Sequence, residues 1–202
     1  GLTMTIERKL LGTSPSGGGS TDVAEVFSAY PYKGTSGGRS INNGIDISGY
    51  GALTWIKGRT AGYGHNLYDT ERGATNSIAS SSNAASVVKS DGLTAFSSNG
   101  FSLGSNGAHN TSGQDYISWT FRKKKKFFDI VTYTGNGANR TIAHSLGGPV
   151  GFMAVKRLSS TGALTTFHKS LGGTKYMEMH STYLQQSSIN VWNNTAPTDA
   201  VF

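Results

Sequence analysis

The chain repeats itself at a period near 100 residues, and this limits its fold more than any other feature of its 202 residues. Phe27 to Lys57 carries Tyr32, Gly34, Arg39-Ser40-Ile41 and Trp55-Ile56-Lys57. It aligns with Phe128 to Lys156, which carries Tyr133, Gly135, Arg140-Thr141-Ile142 and Ala154-Val155-Lys156. The offset begins at 101 (Tyr32 to Tyr133) and slips to 99 (Lys57 to Lys156). Further on, Leu67-Tyr68 faces Thr166-Phe167 or Phe167-His168, Gly73 faces Gly173, and Asn99-Gly100-Phe101 faces Ala200-Val201-Phe202. Solenoid repeats are far shorter; a unit of this size fits a small β-sandwich module.

Composition says what the repeated unit is made of. With 28 Gly, 26 Ser, 22 Thr and 13 Asn, nearly half the chain is small or turn-forming, and only 14% is charged. Long helices need Ala, Leu, Glu, Lys and Arg instead. Four Pro and no Gly-X-Y period exclude collagen. Aromatic residues at 10% argue against a solvated, disordered chain. The expectation is an all-β protein of tandem β-sandwich modules. Residues 1–20 form an N-terminal arm, extended or short-helical, with a Gly/Ser linker; residues 21–126 form module 1. Residues 127–202 form module 2, which lacks a counterpart of Asp115–Arg122 and therefore reads as incomplete, with the missing strands expected first in a continuation of the chain, and otherwise from a partner or from the N-terminal segment.

Alternation and β-branched or aromatic enrichment predict strands over 52–57, 114–121, 127–134, 152–156, 164–168, 176–180 and 188–192. In 114–121 the apolar set Ile117, Trp119 and Phe121 is expected to face the core. Asp22–Phe27 predicts one or two helical turns capped by Asp22 or Thr21, and Thr5–Leu10 a short helix or extended arm.

The formal charge is +7, but five cations stand together at Arg122, Lys123, Lys124, Lys125 and Lys126. Without them the balance is +2, 13 cations against 11 anions. Two readings apply: a contact for a polyanion or an acidic partner, or a solvated junction whose like charges discourage strand-edge pairing. The junction reading is favoured, because the flanking Trp119, Phe121, Phe127 and Phe128 alternate as core residues do. There is no Cys, hence no disulfide framework. No apolar run is long enough for a membrane span, and the first residues do not read as a secretory leader.

Candidate chemistry is sparse. Asp69 and Glu71 resemble a carboxylate pair for glycoside hydrolysis, but Arg72 offers Asp69 a local ion pair and the second copy has Lys169 and Leu171 nearby. The histidines His65, His109, His144, His168 and His180 show no metal-ligand spacing. Ala143-His144-Ser145-Leu146-Gly147 lacks the first Gly of a nucleophile elbow. Gly135-Asn136-Gly137 begins like a dinucleotide loop, yet Arg140 replaces its third Gly, and Asn136-Gly137 suits a hairpin turn. The sequons at Asn110, Asn139 and Asn194 are expected by chance in so Asn-, Ser- and Thr-rich a chain. No catalytic, metal or cofactor residues are expected.

Several stretches resemble a module of tailed-bacteriophage virion proteins, particularly those of marine and cyanobacterial phages. They are Trp55-Ile56-Lys57-Gly58-Arg59, Asp69 to Thr75, Leu93 to Gly104, Asn110 to Gly113 with Tyr116 to Trp119, Phe128 to Gly137, Arg140 to Gly147, Val155-Lys156-Arg157, and Thr5 to Gly12. The resemblance implies jelly-roll or lectin-like sandwiches in a fibre, knob or capsid/tail decoration subunit, not an enzyme. It implies location in the virion, assembly in the host cytoplasm, other virion proteins as partners, and a homo-oligomer such as a trimer. Glu7, Arg8, Lys9, Leu10 and Leu11 become the arm that docks on the particle. The alternative is a carbohydrate-binding adhesin that recognises a host surface glycan; a polysaccharide-degrading enzyme ranks below both.

Overall fold

The computed structural model describes residues 22–202. Within them the chain is mostly β, and its strands form three sheets. A one-turn helix, α1 (Val23–Val26), opens the described chain, with the Asp22 carboxylate accepting the Ala24 N–H at its N-cap. Then come β1 (Phe27–Lys33), β2 (Arg39–Asn42), β3 (Ala52–Gly58), β4 (Asn66–Asp69), β5 (Asn76–Ala79), β6 (Val87–Val88), β7 (Leu93–Ser97) and β8 (Gly100–Leu103). Helix α2 (Gly107–Asn110) and β9 (Asp115–Arg122) complete the first unit. The second has β10 (Phe152–Lys156), β11 (Leu164–His168), β12 (Lys175–Glu178), β13 (Gln186–Ser187) and α3 (Ile189–Trp192).

In the first unit a six-stranded sheet runs β1-β9-β3-β4-β5-β6, and a three-stranded sheet runs β2-β8-β7, every pair antiparallel. One apolar cluster joins them: Tyr32, Ile56, Tyr68 and Tyr116 come from the larger sheet, and Ile41, Leu93, Phe101 and Leu103 from the smaller. Strand β3 shows why the sequence folds this way. Ala52, Thr54, Ile56 and Gly58 are buried and alternate with half-buried Leu53, Trp55 and Lys57, the period-2 pattern of a central strand.

The second unit repeats part of this plan. Its sheet β10-β11-β12-β13 follows the order β3-β4-β5-β6, with β4 at Asn66 matching β11 at Thr165, an offset of 99. Individual bonds recur. Arg39 lies over the Tyr32 ring at 5.8 Å, and Arg140 lies over Tyr133 at 5.9 Å. Arg39 also donates to the Lys33 carbonyl and Arg140 to that of Thr134. Ile41 pairs with Phe101, and Ile142 exchanges both backbone bonds with Phe202. Gly73 at φ +85° is matched by Gly172 at φ +75°, one residue from the alignment expected at Gly173.

Three expectations are corrected. First, the core-facing set of β9 is Tyr116, Ser118, Thr120 and Arg122, not Ile117, Trp119 and Phe121. Hydroxyls can face inward here because they are bonded: the Thr120 hydroxyl accepts from Asn43 at 2.8 Å. The apolar set covers the opposite face, where Trp119 meets Trp55 and Phe121 meets Phe27 and Phe128. Second, 127–134 is not a strand; apart from an isolated Lys124–Phe128 bridge it has no ladder partner among the described residues, and an extended segment needs one to become a strand. Third, 188–192 is mostly helix: the Ser188 hydroxyl accepts the Asn190 N–H and caps α3. The expected N-terminal arm and its Gly/Ser linker fall in 1–20, outside the described residues.

Candidate functional site

Among the described residues, Glu71, Lys123 and Asp129 converge where the two units meet. The turn after β4 brings Glu71, the end of β9 brings Lys123, and the first residues of the second unit bring Asp129. Together with Ile130–Thr132 and Ala143–Ser145 they line an open cleft of about 250 Å³. Lys123 Nζ sits 2.9 Å from Glu71 Oε1 and 3.3 Å from Asp129 Oδ1. Asp129 Oδ2 in turn accepts the Ser145 N–H at 2.7 Å, and its Oδ1 accepts that of Ile130. Partial burial acts to lower the Lys123 pKa. Its bonds to the Glu71 and Asp129 carboxylates outweigh that and hold it above the ordinary lysine value. This is a cation clamped between carboxylates from both units.

A second contact binds the units on another side. Lys156 Nζ reaches the Ser82 carbonyl at 3.1 Å as well as that of Gly162 at 2.6 Å. Ser86 donates to the Leu158 carbonyl, and Gly162 donates to that of Asn83. The β10–β11 turn thus rests on the β5–β6 connection.

The cationic run is divided by the fold. Arg122 is buried beneath the Tyr50 ring, 4.2 Å from its centroid, and lies 3.5 Å from Glu25. Lys123 is the clamp. Lys124, Lys125 and Lys126 are exposed, and they alone remain open to an outside anion. The docking residues Glu7, Arg8, Lys9, Leu10 and Leu11 lie outside the described residues.

The other chemical candidates are held in structural bonds. Asp69 is buried and takes both the backbone N–H and the Nε of Arg72, while Glu71 is the clamp's second carboxylate. His144 accepts the Leu146 N–H on Nδ1, and its Nε2 lies 3.3 Å from the Thr198 carbonyl. Both ring nitrogens are thus taken up by backbone groups, and neither is bonded to Ser145. His144 occupies the place of Asn43: their backbone N–H groups donate to the aligned carbonyls of Ala200 and Asn99, and both side chains accept the N–H two residues ahead. The Gly135–Arg140 loop is followed by coil, without the helix a dinucleotide site requires.

One central residue escaped sequence reasoning. His109 in α2 is fully buried; its Nδ1 donates to Asn106 Oδ1 at 2.9 Å, and its Nε2 accepts from the Tyr68 hydroxyl at 2.9 Å. Burial lowers its pKa to about 4. Only the Asn106-x-x-His109 spacing hints at this, and it reads equally well as a loop.

Residues 22–202, in one continuous range, match the family model described as a domain of unknown function (DUF7483), so the chain belongs to that family. Nothing matches it among curated proteins or solved structures.

Proposed function

We propose that this DUF7483 member is a non-enzymatic bacteriophage virion structural protein: a fibre, knob or capsid/tail decoration subunit exposed on the particle. The observation that carries this reading is the recurrence of one bonding pattern, Arg39–Tyr32 and Arg140–Tyr133, in two β-units clamped together through Lys123. Tandem β-sandwich modules held by ion pairs and backbone bonds suit a protein that bears load and presents surface. The module's resemblance to phage virion proteins supplies the location. In this reading Glu7–Leu11 dock the chain on other virion proteins, Lys124–Lys126 meet an acidic neighbour, and the subunit works as a homo-oligomer, a trimer in the fibre case. Antibody-gold labelling of intact particles tests it: surface labelling is expected, and label found only after particles are opened would overturn it.

A second reading, glycan adhesion, draws on one observation. Tyr183 is 74% exposed and, with Leu184, Gln185 and Gln186, borders an open groove of about 440 Å³. An exposed ring beside side-chain amides is the chemistry that stacks on and hydrogen-bonds a sugar. Retention on a panel of immobilised host glycans, lost in Tyr183→Ala, supports adhesion; equal retention of both proteins argues against it.

A further inference from the structure

The contact between the β10–β11 turn and the β5–β6 connection is made by two hairpins, and each hairpin occurs twice in the chain. Strands β3 and β4 pair Leu53 with Asp69, and β10 and β11 pair Phe152 with His168, 99 residues on. Strands β5 and β6 pair Asn76 with Val88, and β12 and β13 pair Lys175 with Ser187, again 99 residues on. Both connections therefore keep their length. Their internal bonds agree as well. Lys57 Nζ holds the Tyr63 carbonyl at 2.7 Å, as Lys156 Nζ holds that of Gly162 at 2.6 Å. The Ser82 hydroxyl accepts the Ala84 N–H, and the Ser181 hydroxyl accepts that of Tyr183.

Only one of the two possible contacts is made. Between the units, Lys156 reaches the Ser82 carbonyl, the Gly162 N–H donates to Asn83, and the Ser86 N–H donates to Leu158. The equivalent bonds would run from Lys57 to the Ser181 carbonyl, from the Tyr63 N–H to Thr182, and from the Gln185 N–H to Arg59. Among the described residues none of these forms, and the five backbone groups concerned have no other hydrogen-bond partner. A two-fold relation between the units would make the contact reciprocal; this one runs one way. Exposure marks the same place. Ala85 and Ser86 are half-buried, whereas Leu184 is 87% exposed and Gln185 is exposed beside it.

We infer that the connection 181–185 docks the turn 57–63 of a second copy of this chain, head to tail, as the first unit docks the turn of the second. The side chains suit the exchange. Within the chain the turn supplies the bulk, Leu158, and the connection is small, with Ala84 and Ala85. Between copies the connection supplies the bulk, Tyr183 and Leu184, and the turn is small, with Thr60, Ala61 and Gly62. A Cβ added at Gly62 would meet nothing within 4 Å, so the turn is open to a large partner side chain. The contact is weaker than the one inside the chain, because Ser170 and Ser28 stand at the places of Glu71 and Asp129 and no clamp forms. Repeated from copy to copy, a one-way contact makes a ring if its rotation closes and a filament if it does not. This surface goes beyond the virion reading and rests on bonds inside the chain, so its test in solution is independent of particle labelling.

The chain has no Cys, so single introduced cysteines report the contact. Full-length Gly62→Cys and Thr182→Cys chains are purified apart, mixed in equal amounts and gently oxidised. The mixed disulfide dimer is expected to outnumber either homodimer by about 5-fold or more, where random pairing gives about 2-fold. Adding Leu184→Asp to the Thr182→Cys chain, at a side chain too exposed to matter for folding, should return the ratio to the random value. In the native chain the amides of Tyr63 and Gln185 should exchange about 3-fold more slowly or less as the protein is concentrated, by mass action. Those of Ser86 and Gly162, bonded within the chain, should not change. Random pairing, or an excess of either homodimer, overturns the proposal. So does protection of Gln185 that is independent of concentration, which identifies a segment of the same chain as the occupant. Random pairing together with glycan retention that Tyr183→Ala abolishes identifies a sugar there, and overturns it too.

Discussion

Asp69 and Arg72 close on each other twice, the carboxylate accepting the Arg72 backbone N–H at 2.9 Å and its Nε at 2.6 Å, with both side chains under a tenth exposed. The remaining guanidinium nitrogens donate to the carbonyls of Asn76 and Leu67. A fully bonded buried pair adds modest net stability, but removing one partner strands a charge. Asp69→Asn is therefore expected to cost about 3–5 kcal/mol in urea unfolding. The second unit holds His168 and Leu171 at the matching places with no ion pair. Copying it, Asp69→His with Arg72→Leu, should cost less than Asp69→Asn alone.

His109 makes stability depend on pH. Its pKa is about 4 in the folded chain, against an ordinary 6.5, chiefly through burial, with Lys89 lowering it further and Asp91 opposing. The unfolded state thus binds the proton first as pH falls. The stabilising contribution is complete above about pH 6.5, declines as pH drops toward 4, and changes no further below that. The full swing is roughly 3 kcal/mol. Urea midpoints at pH 7 and 4.5 measure it: the native chain should lose more between them than His109→Gln, which starts weaker but titrates less.

These two cases show what sequence makes visible. Ala52–Lys57 and Phe152–Lys156 are legible because alternation and apolar content are local properties. The recurring pattern is legible because Arg39–Tyr32 and Arg140–Tyr133 keep both identity and spacing. The inward face of β9 is hidden, because Ser118 and Thr120 count as polar until a partner such as Asn43 is known. Segment 127–134 has a strand's pattern, but a ladder needs a neighbour that no local pattern supplies. The clamp is hidden for a similar reason: Glu71, Lys123 and Asp129 meet only through the fold, and within the Arg122–Lys126 run nothing separates the two bonded cations from the three exposed ones.

Lys123 should matter more for how the units are held than for overall stability. Its side chain is about a third exposed, as is that of Glu71, so solvent screening limits the pairs to about 1 kcal/mol. Lys123→Met is expected to lower unfolding free energy by that amount or less, and to speed amide exchange at Ile130 and Ser145, which bond to Asp129. Salt at 1 M should reproduce part of the effect in the native chain. Replacing Lys124, Lys125 and Lys126 together by Gln should shift stability by no more than about 0.5 kcal/mol.

Gly100 and its counterpart Val201 should respond in opposite ways to the exchange of a side chain. Gly100 sits at φ +131°, and a Cβ there would overlap the Ile41 carbonyl oxygen across the β2–β8 ladder. Gly100→Ala therefore combines backbone strain of about 1–3 kcal/mol with a clash against main chain that cannot swing aside. A loss of at least about 3 kcal/mol is expected, with faster exchange across Ile41 and Phe101. In the second unit the same place holds a half-buried Val201 bridged to Ala143, so a side chain is already accommodated. Val201→Gly should cost only about 1 kcal/mol, the value of partial apolar burial. Equilibrium unfolding of both variants checks the contrast, and a Gly100→Ala protein as stable as the native chain would remove the steric account of this ladder.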